Sequence, residues 1–145
     1  MYNEYEIKLF IYGGIMNLSK FTDYSFRILI FLGSRPNELF TVEELSSTLD
    51  LSAHHVKKII YKLVKNNYLE SSKGRNGGIK FVIDPKDINL GELFEIMEDN
   101  LSIVECFSNE NRCCINHNCR LRPILNDSLK AFKTSLSKYT LNDII

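Results

Sequence analysis

Four cysteines, Cys106, Cys113, Cys114 and Cys119, stand within fourteen residues of one another in this chain. Clustered thiols in a reduced compartment bind metal or do redox chemistry more often than they form disulfides. Six residues separate Cys106 from Cys113 and five separate Cys113 from Cys119, so the Cys-x-x-Cys knuckle of a tetrahedral zinc finger is missing. Cys113 and Cys114 are neighbours whose side chains diverge, and such a pair rarely shares one metal ion. The pattern is therefore three thiolates and a fourth ligand from elsewhere. That set fits an iron–sulfur cluster better than structural zinc. On spacing alone, zinc, a thiol switch and inert cysteines stay open. A cluster with one weak ligand is labile, as a sensor requires. His117 lies inside the loop as a further candidate ligand.

A second set of residues suits a polyanion. From Ser52 to Lys80 there are seven bases, Lys57, Lys58, Lys62, Lys65, Lys73, Arg75 and Lys80, against one acid, Glu70, a net charge of +6. From Asp84 to Cys119 eight acids face two bases, a net −6. A basic middle beside an acidic later segment implies one face for DNA and another task elsewhere. The plain alternative is a solvated surface of mixed charge.

The elements that must position these residues follow from periodicity. Phe26, Ile28, Leu29, Ile30, Phe31 and Leu32 make a buried helix, with Thr22 or Asp23 as its cap and Gly33 and Pro36 at its end. Thr41-Val42-Glu43-Glu44 is a capping box. After a break at Asp50-Leu51, Ser52 caps a helix in which Val56, Ile59, Ile60, Leu63 and Val64 recur at helical spacing. Two short helices, the second basic, form a helix-turn-helix. Residues 68–72 and 79–83 read as two strands joined by a Gly-rich turn, and a hairpin at this place makes a wing. Asn89 caps a further helix. From Leu121, apolar residues every three or four positions predict a long amphipathic helix, with Pro123 tolerated in its first turn.

The expected fold is mainly α with a small β-hairpin: a winged helix-turn-helix DNA-binding domain plus a long C-terminal dimerisation helix. DNA's major groove admits the start of a recognition helix, here carrying Ser52, His54, His55, Lys57 and Lys58. Lys73, Arg75 and Asn76 at the wing tip suit phosphate and a narrow minor groove. The adjacent histidines are too weak a signal for metal. A winged helix used only for protein contacts is the bland alternative.

The chain has 145 residues, of which 44% are hydrophobic and 25% charged, an ordinary globular composition with zero net charge. No apolar run reaches the ~20 residues that span a bilayer. The N-terminus has acids at Glu4 and Glu6 and does not read as a secretory signal. The expected location is cytoplasmic. No nucleophile–base pair or phosphate-binding loop is visible, so an enzyme is not expected. Residues 1–15 differ in character from the rest of the chain, and Met16 reads as a plausible true start. The expected divisions are 16–84 for DNA binding, 85–119 for a helix and the cysteine loop, and 120–145 for the dimerisation helix and tail.

Several of these segments together resemble the Rrf-two family of bacterial winged-helix regulators, and within it the nitric-oxide-sensing repressors. They are Leu18-Ser-Lys-Phe-Thr-Asp23-Tyr24, the wing Gly74-Arg75-Asn76-Gly77-Gly78-Ile79, the loop from Ser102 to Leu121, and the tail Tyr139-Thr140-Leu141-Asn142-Asp143. The resemblance runs from Met16 to the C-terminus. It implies a homodimer whose long C-terminal helices cross, and a [4Fe–4S] cluster held by Cys106, Cys113 and Cys119. The fourth ligand would be Asp23 of the other subunit, a residue otherwise read as a helix cap. Cys114 sits beside Cys113 and is able to substitute for it. A related [2Fe–2S] regulator has a histidine where Arg122 stands here, which disfavours that cluster type. The implied function is repression of nitric oxide detoxification genes: nitric oxide attacks cluster iron, Asp23 is released, and operator DNA is lost. Arg27, one turn beyond Asp23, is expected to steady the ligand loop, and Lys20 to touch phosphate. Sensing of iron or oxygen, and a zinc-stabilised winged-helix interaction module, are the alternatives.

Overall fold

The computed structural model describes residues 18–108, 113–115 and 118–145. The expectations for residues 1–15, Met16 and His117 fall outside them. Among the described residues, five helices and one hairpin follow in order: α1 (Lys20–Gly33), α2 (Val42–Leu49), α3 (Ala53–Lys65), β1 (Leu69–Ser72), β2 (Gly78–Phe81), α4 (Leu90–Met97) and α5 (Leu121–Leu136). Short 3₁₀ turns lie at Pro85–Asp87, Glu105–Phe107 and Leu141–Ile144.

Each helix of the DNA-binding half starts on a side chain able to take an orphan amide. Thr41 and Glu44 form the reciprocal capping box of α2, with the Glu44 amide donating to Thr41 Oγ1 at 3.2 Å and the Thr41 amide to Glu44 Oε2 at 2.8 Å. Ser52 caps α3 and Asn89 caps α4. The cap of α1 corrects the sequence expectation. It is Ser19, whose hydroxyl accepts the Thr22 amide at 3.1 Å, so Asp23 sits in the first turn instead of starting the helix. With Ser19 as the cap, the Asp23 carboxylate is left for other partners, while Thr22 stays bonded to Ser19 through both its amide and its hydroxyl.

The turn between α2 and α3 closes through Asp50, in the left-handed region at φ 51°. Its neighbour Leu51 donates its amide to Ser46, and α3 ends in the same way with Asn67 at φ 60°. Strands β1 and β2 are antiparallel, pairing Leu69 with Phe81 and Ser72 with Gly78. The connecting turn needs Gly74, whose φ of 108° a side chain would resist. Strand β2 also bridges the segment before α2, where the Ile79 amide donates to the Phe40 carbonyl at 2.9 Å.

One core joins these pieces. Ile28 and Leu29 of α1, Leu45 of α2, Val56, Ile59 and Leu63 of α3, and Leu69 and Ile79 of the wing are fully buried. Ile88, Leu93 and Met97 of the next segment belong to the same cluster, as does Leu141 of the tail. The tail returns because the Leu90 amide donates to the Tyr139 carbonyl at 3.0 Å and the Leu141 amide to Ile88 at 2.9 Å. Helices α4 and α5 cross closely at Gly91. A Cβ there would run into the Ser137 hydroxyl and meet the Lys133 carbonyl oxygen at 3.0 Å. Phe94 and Phe132 stack edge to face at 5.2 Å, and Glu95 pairs with Lys133. No residue of α5 is fully buried.

Candidate functional site

Helix α3 turns its apolar stripe into the core and leaves Ser52, His54, His55, Lys57 and Lys58 exposed at its start. Lys73, Arg75 and Asn76 are exposed at the wing tip. The structure therefore exposes all eight residues expected at DNA. It also divides the basic run. Lys80 is tied to Glu70 across the hairpin at 2.7 Å, and Lys62 is paired with Asp99. Among the described residues, Lys57, Lys58, Lys65, Lys73 and Arg75 have no acid partner. These cations remain for phosphate.

The recognition helix is anchored at its first turn. His55 donates its amide to Ser52 Oγ at 3.3 Å, and its ring Nδ1 lies 3.0 Å from the same oxygen. That imidazole also packs edge-on against Tyr24 of α1, with ring centroids 6.0 Å apart. The Arg27 guanidinium stands 5.6 Å from the Tyr24 ring centre and grips Asp23 in a fork. Its two contacts are Nη2 to Oδ2 at 2.7 Å and Nε to Oδ1 at 3.2 Å. A continuous set of contacts thus runs from Asp23 through Arg27 and Tyr24 to His55 and the cap of the recognition helix. Arg27 was expected to steady the cysteine loop; here it holds the Asp23 carboxylate itself. Asp23 keeps 42% of its side chain exposed, so the carboxylate is reachable from outside the chain.

The cysteines lie in the segment between α4 and α5. Cys106 sits in the 3₁₀ turn Glu105–Phe107; it, Cys113 and Cys119 are half-buried, and Cys114 is exposed. All four are thiols rather than disulfides. As donors, three half-buried thiols fit an iron–sulfur group, and the exposed Cys114 is the one left over. Among the described residues, however, no three His, Cys, Asp or Glu side chains gather into a group able to hold a metal ion. The fit is thus one of donor chemistry and order along the chain. Asp23 meets none of these thiols in the described contacts.

Sequence reasoning missed three contributors. Tyr24 bridges α1 to α3 through a ring contact that no spacing rule reveals. Thr22, fully buried, donates its hydroxyl to Glu98 Oε2 at 2.8 Å, and the Ser19 amide donates to the same oxygen at 3.0 Å. Only the negative charge of Glu98 next to the cysteine segment was visible beforehand.

A winged helix that presents unpaired bases on both its recognition helix and its wing defines a DNA-binding transcription regulator. Among proteins described as "Iron-dependent Transcriptional regulator", the family Rrf2 matches residues 18–145. The HTH-type transcriptional regulator NsrR of Bacillus subtilis (strain 168) is 45% identical over 132 residues, covering 90% of each chain. NsrR of Bacillus licheniformis is 42% identical over 132 residues, covering 90% of this chain and 92% of that one. Among solved structures, T. potens IscR matches with a TM-score of 0.70 at 18% identity, covering 90% of this chain and 86% of that one. CymR, the global cysteine regulator of B. subtilis, matches with a TM-score of 0.68 at 23% identity, covering 90% and 96%. These two likenesses speak for the fold alone. The chain belongs to the Rrf2 family of transcriptional regulators, and within it is similar to the NsrR type. Its relatives are named as regulators and not as enzymes. No helix among the described residues is long and apolar enough to cross a membrane.

Proposed function

We propose that this chain is a homodimeric cytoplasmic repressor that binds two-fold operator DNA with a [4Fe–4S] cluster in place and releases it when nitric oxide is present. Genes for nitric oxide detoxification are then derepressed. Cys106, Cys113 and Cys119 of one protomer hold the cluster, and Asp23 of the other protomer is the fourth ligand. When bound, the cluster supplies iron that reacts with nitric oxide. Residues 16–84 read DNA, 85–119 carry the ligands, and 120–145 pair the protomers.

The observation that carries this reading is the run of contacts from Asp23 to Ser52. Asp23 has two competing engagements, the fork of its own Arg27 and a ligand position on a second chain. A carboxylate drawn away from Arg27 frees the guanidinium beside Tyr24, whose ring touches His55 at the start of the recognition helix. Each ligation state therefore favours one placement of α1 against α3, which is the differential interaction that a switch needs. The open apolar side of α5, with Leu121 at 57% and Ile124 at 60% exposure, supports a second copy as the partner.

The test is anaerobic reconstitution with iron and sulfide analysis. A broad absorption near ~400 nm and about four irons per chain, bleached by nitric oxide, are expected. A colourless protein holding zinc, or no metal, would remove the sensor. The family's description as iron-dependent favours one second reading, in which cluster occupancy itself reports iron or oxygen. In that case nitric oxide would be no more potent than air at releasing DNA.

A further inference from the structure

Glu98 and Asp99 are the first residues after α4 and lead into the cysteine segment. Glu98 has an extended backbone, at φ −86° and ψ 101°, and the two carboxylates diverge to different helices. Glu98 Oε2 accepts from the Ser19 amide at 3.0 Å and from Thr22 Oγ1 at 2.8 Å, at the N-terminal turn of α1. An anion is favoured at that end of a helix, and both hydrogen bonds are charge-assisted. Thr22 is fully buried, and among the described residues no buried side-chain polar atom lacks a partner. Asp99 reaches across to Lys62 of α3, whose ammonium also stands 5.2 Å from the Phe21 ring centre in α1.

We propose that Glu98 is a positioning residue that straps the start of the cysteine segment to the first turn of α1. Asp99 adds a weaker second arm to the recognition helix. Asp23 follows Thr22 directly, so the strap fixes the turn that presents Asp23. It gives the cysteine segment a grip on α1 within one chain, separate from any ligand bond between chains. The Asp99 arm is weak because its side chain is 83% exposed, where water screens the pair. The coupling role assigned to Glu98 rests on the sensor reading above; the strap itself does not.

The experiment has two parts. In metal-free protein, Glu98→Ala should raise amide exchange over residues 23–26 about tenfold, since it removes two charge-assisted bonds. Glu98→Gln keeps an acceptor oxygen and should raise exchange less than about threefold. In cluster-loaded protein, Glu98→Ala should shrink the ratio of operator affinities before and after nitric oxide, with all four proposed ligands intact. The DNA is a duplex that the wild-type loaded protein selects from a random pool. Unchanged exchange in Glu98→Ala would overturn the strap. Raised exchange with an unaltered affinity ratio would make Glu98 merely structural and overturn the coupling. Wild-type protein that takes up no cluster would sink the sensor reading, and the exchange data would still decide the strap.

Discussion

The winged half and the cysteine–α5 half of this chain are built on opposite terms. From α1 to β2 every helix is capped by a side chain, and the apolar residues close into one core. Between Asn100 and Leu136 no described apolar residue is fully buried, and Ile103, Ile115, Leu121, Ile124 and Phe132 are exposed. The first half is a finished fold. The second is a more open surface, and under the proposed function a second copy of the chain covers it. A regulator needs both, because DNA readout requires rigid placement while a signal requires something loosely held.

Cavities separate the halves most sharply. Leu29→Ala removes a fully buried side chain and should destabilise the chain by about 2–5 kcal/mol in chemical denaturation. Ile124→Ala on α5 should cost less than about 0.5 kcal/mol in dilute monomer and act on dimer dissociation instead. Equal losses from the two would erase the distinction. Gly91→Ala tests the one tight seam between α4 and α5. Overpacking against Ser137 and Lys133 should cost roughly 1–3 kcal/mol, read as a lowered thermal midpoint. No change would mean that α5 is not seated there.

Thr41→Ala, which opens the capping box of α2, should cost about 1 kcal/mol and loosen the helix-turn-helix. Arg75→Ala leaves stability alone. It should weaken DNA binding and reduce the slope of log affinity against log salt by about 1. The same change at Lys130 on α5 should leave that slope unaltered, and an equal effect would place DNA on both halves.

The difference between the halves also explains what could be read in advance. The capping box of Thr41 and Glu44, the caps Ser52 and Asn89, and the start of α5 at Leu121 are local patterns, so spacing revealed them. The hairpin was legible from its glycines. The cap of α1 was not, because Ser19, Thr22 and Asp23 are all plausible caps. The choice depends on Glu98, which is 79 residues from Ser19. Leu141 in the core escaped notice for a similar reason: a short tail has no periodicity, and its burial depends on a backbone pairing with Ile88 and Leu90. The apolar rows of α5 were legible as a helix, but which neighbour they meet was not: its C-terminal half packs on α4 through Phe132 and Lys133. At the candidate site the residue types were legible, while the fork of Arg27 on Asp23 and the Tyr24–His55 contact needed three dimensions.

Under the proposed function, the state of the cysteine segment sets the DNA affinity of the winged half. Fluorescence anisotropy of a selected duplex, titrated with anaerobically reconstituted protein before and after stoichiometric nitric oxide, tests it most directly. Affinity should fall at least about tenfold on nitric oxide addition, within the usual range of allosteric coupling. Equal affinity for loaded, nitric-oxide-treated and metal-free protein would contradict it.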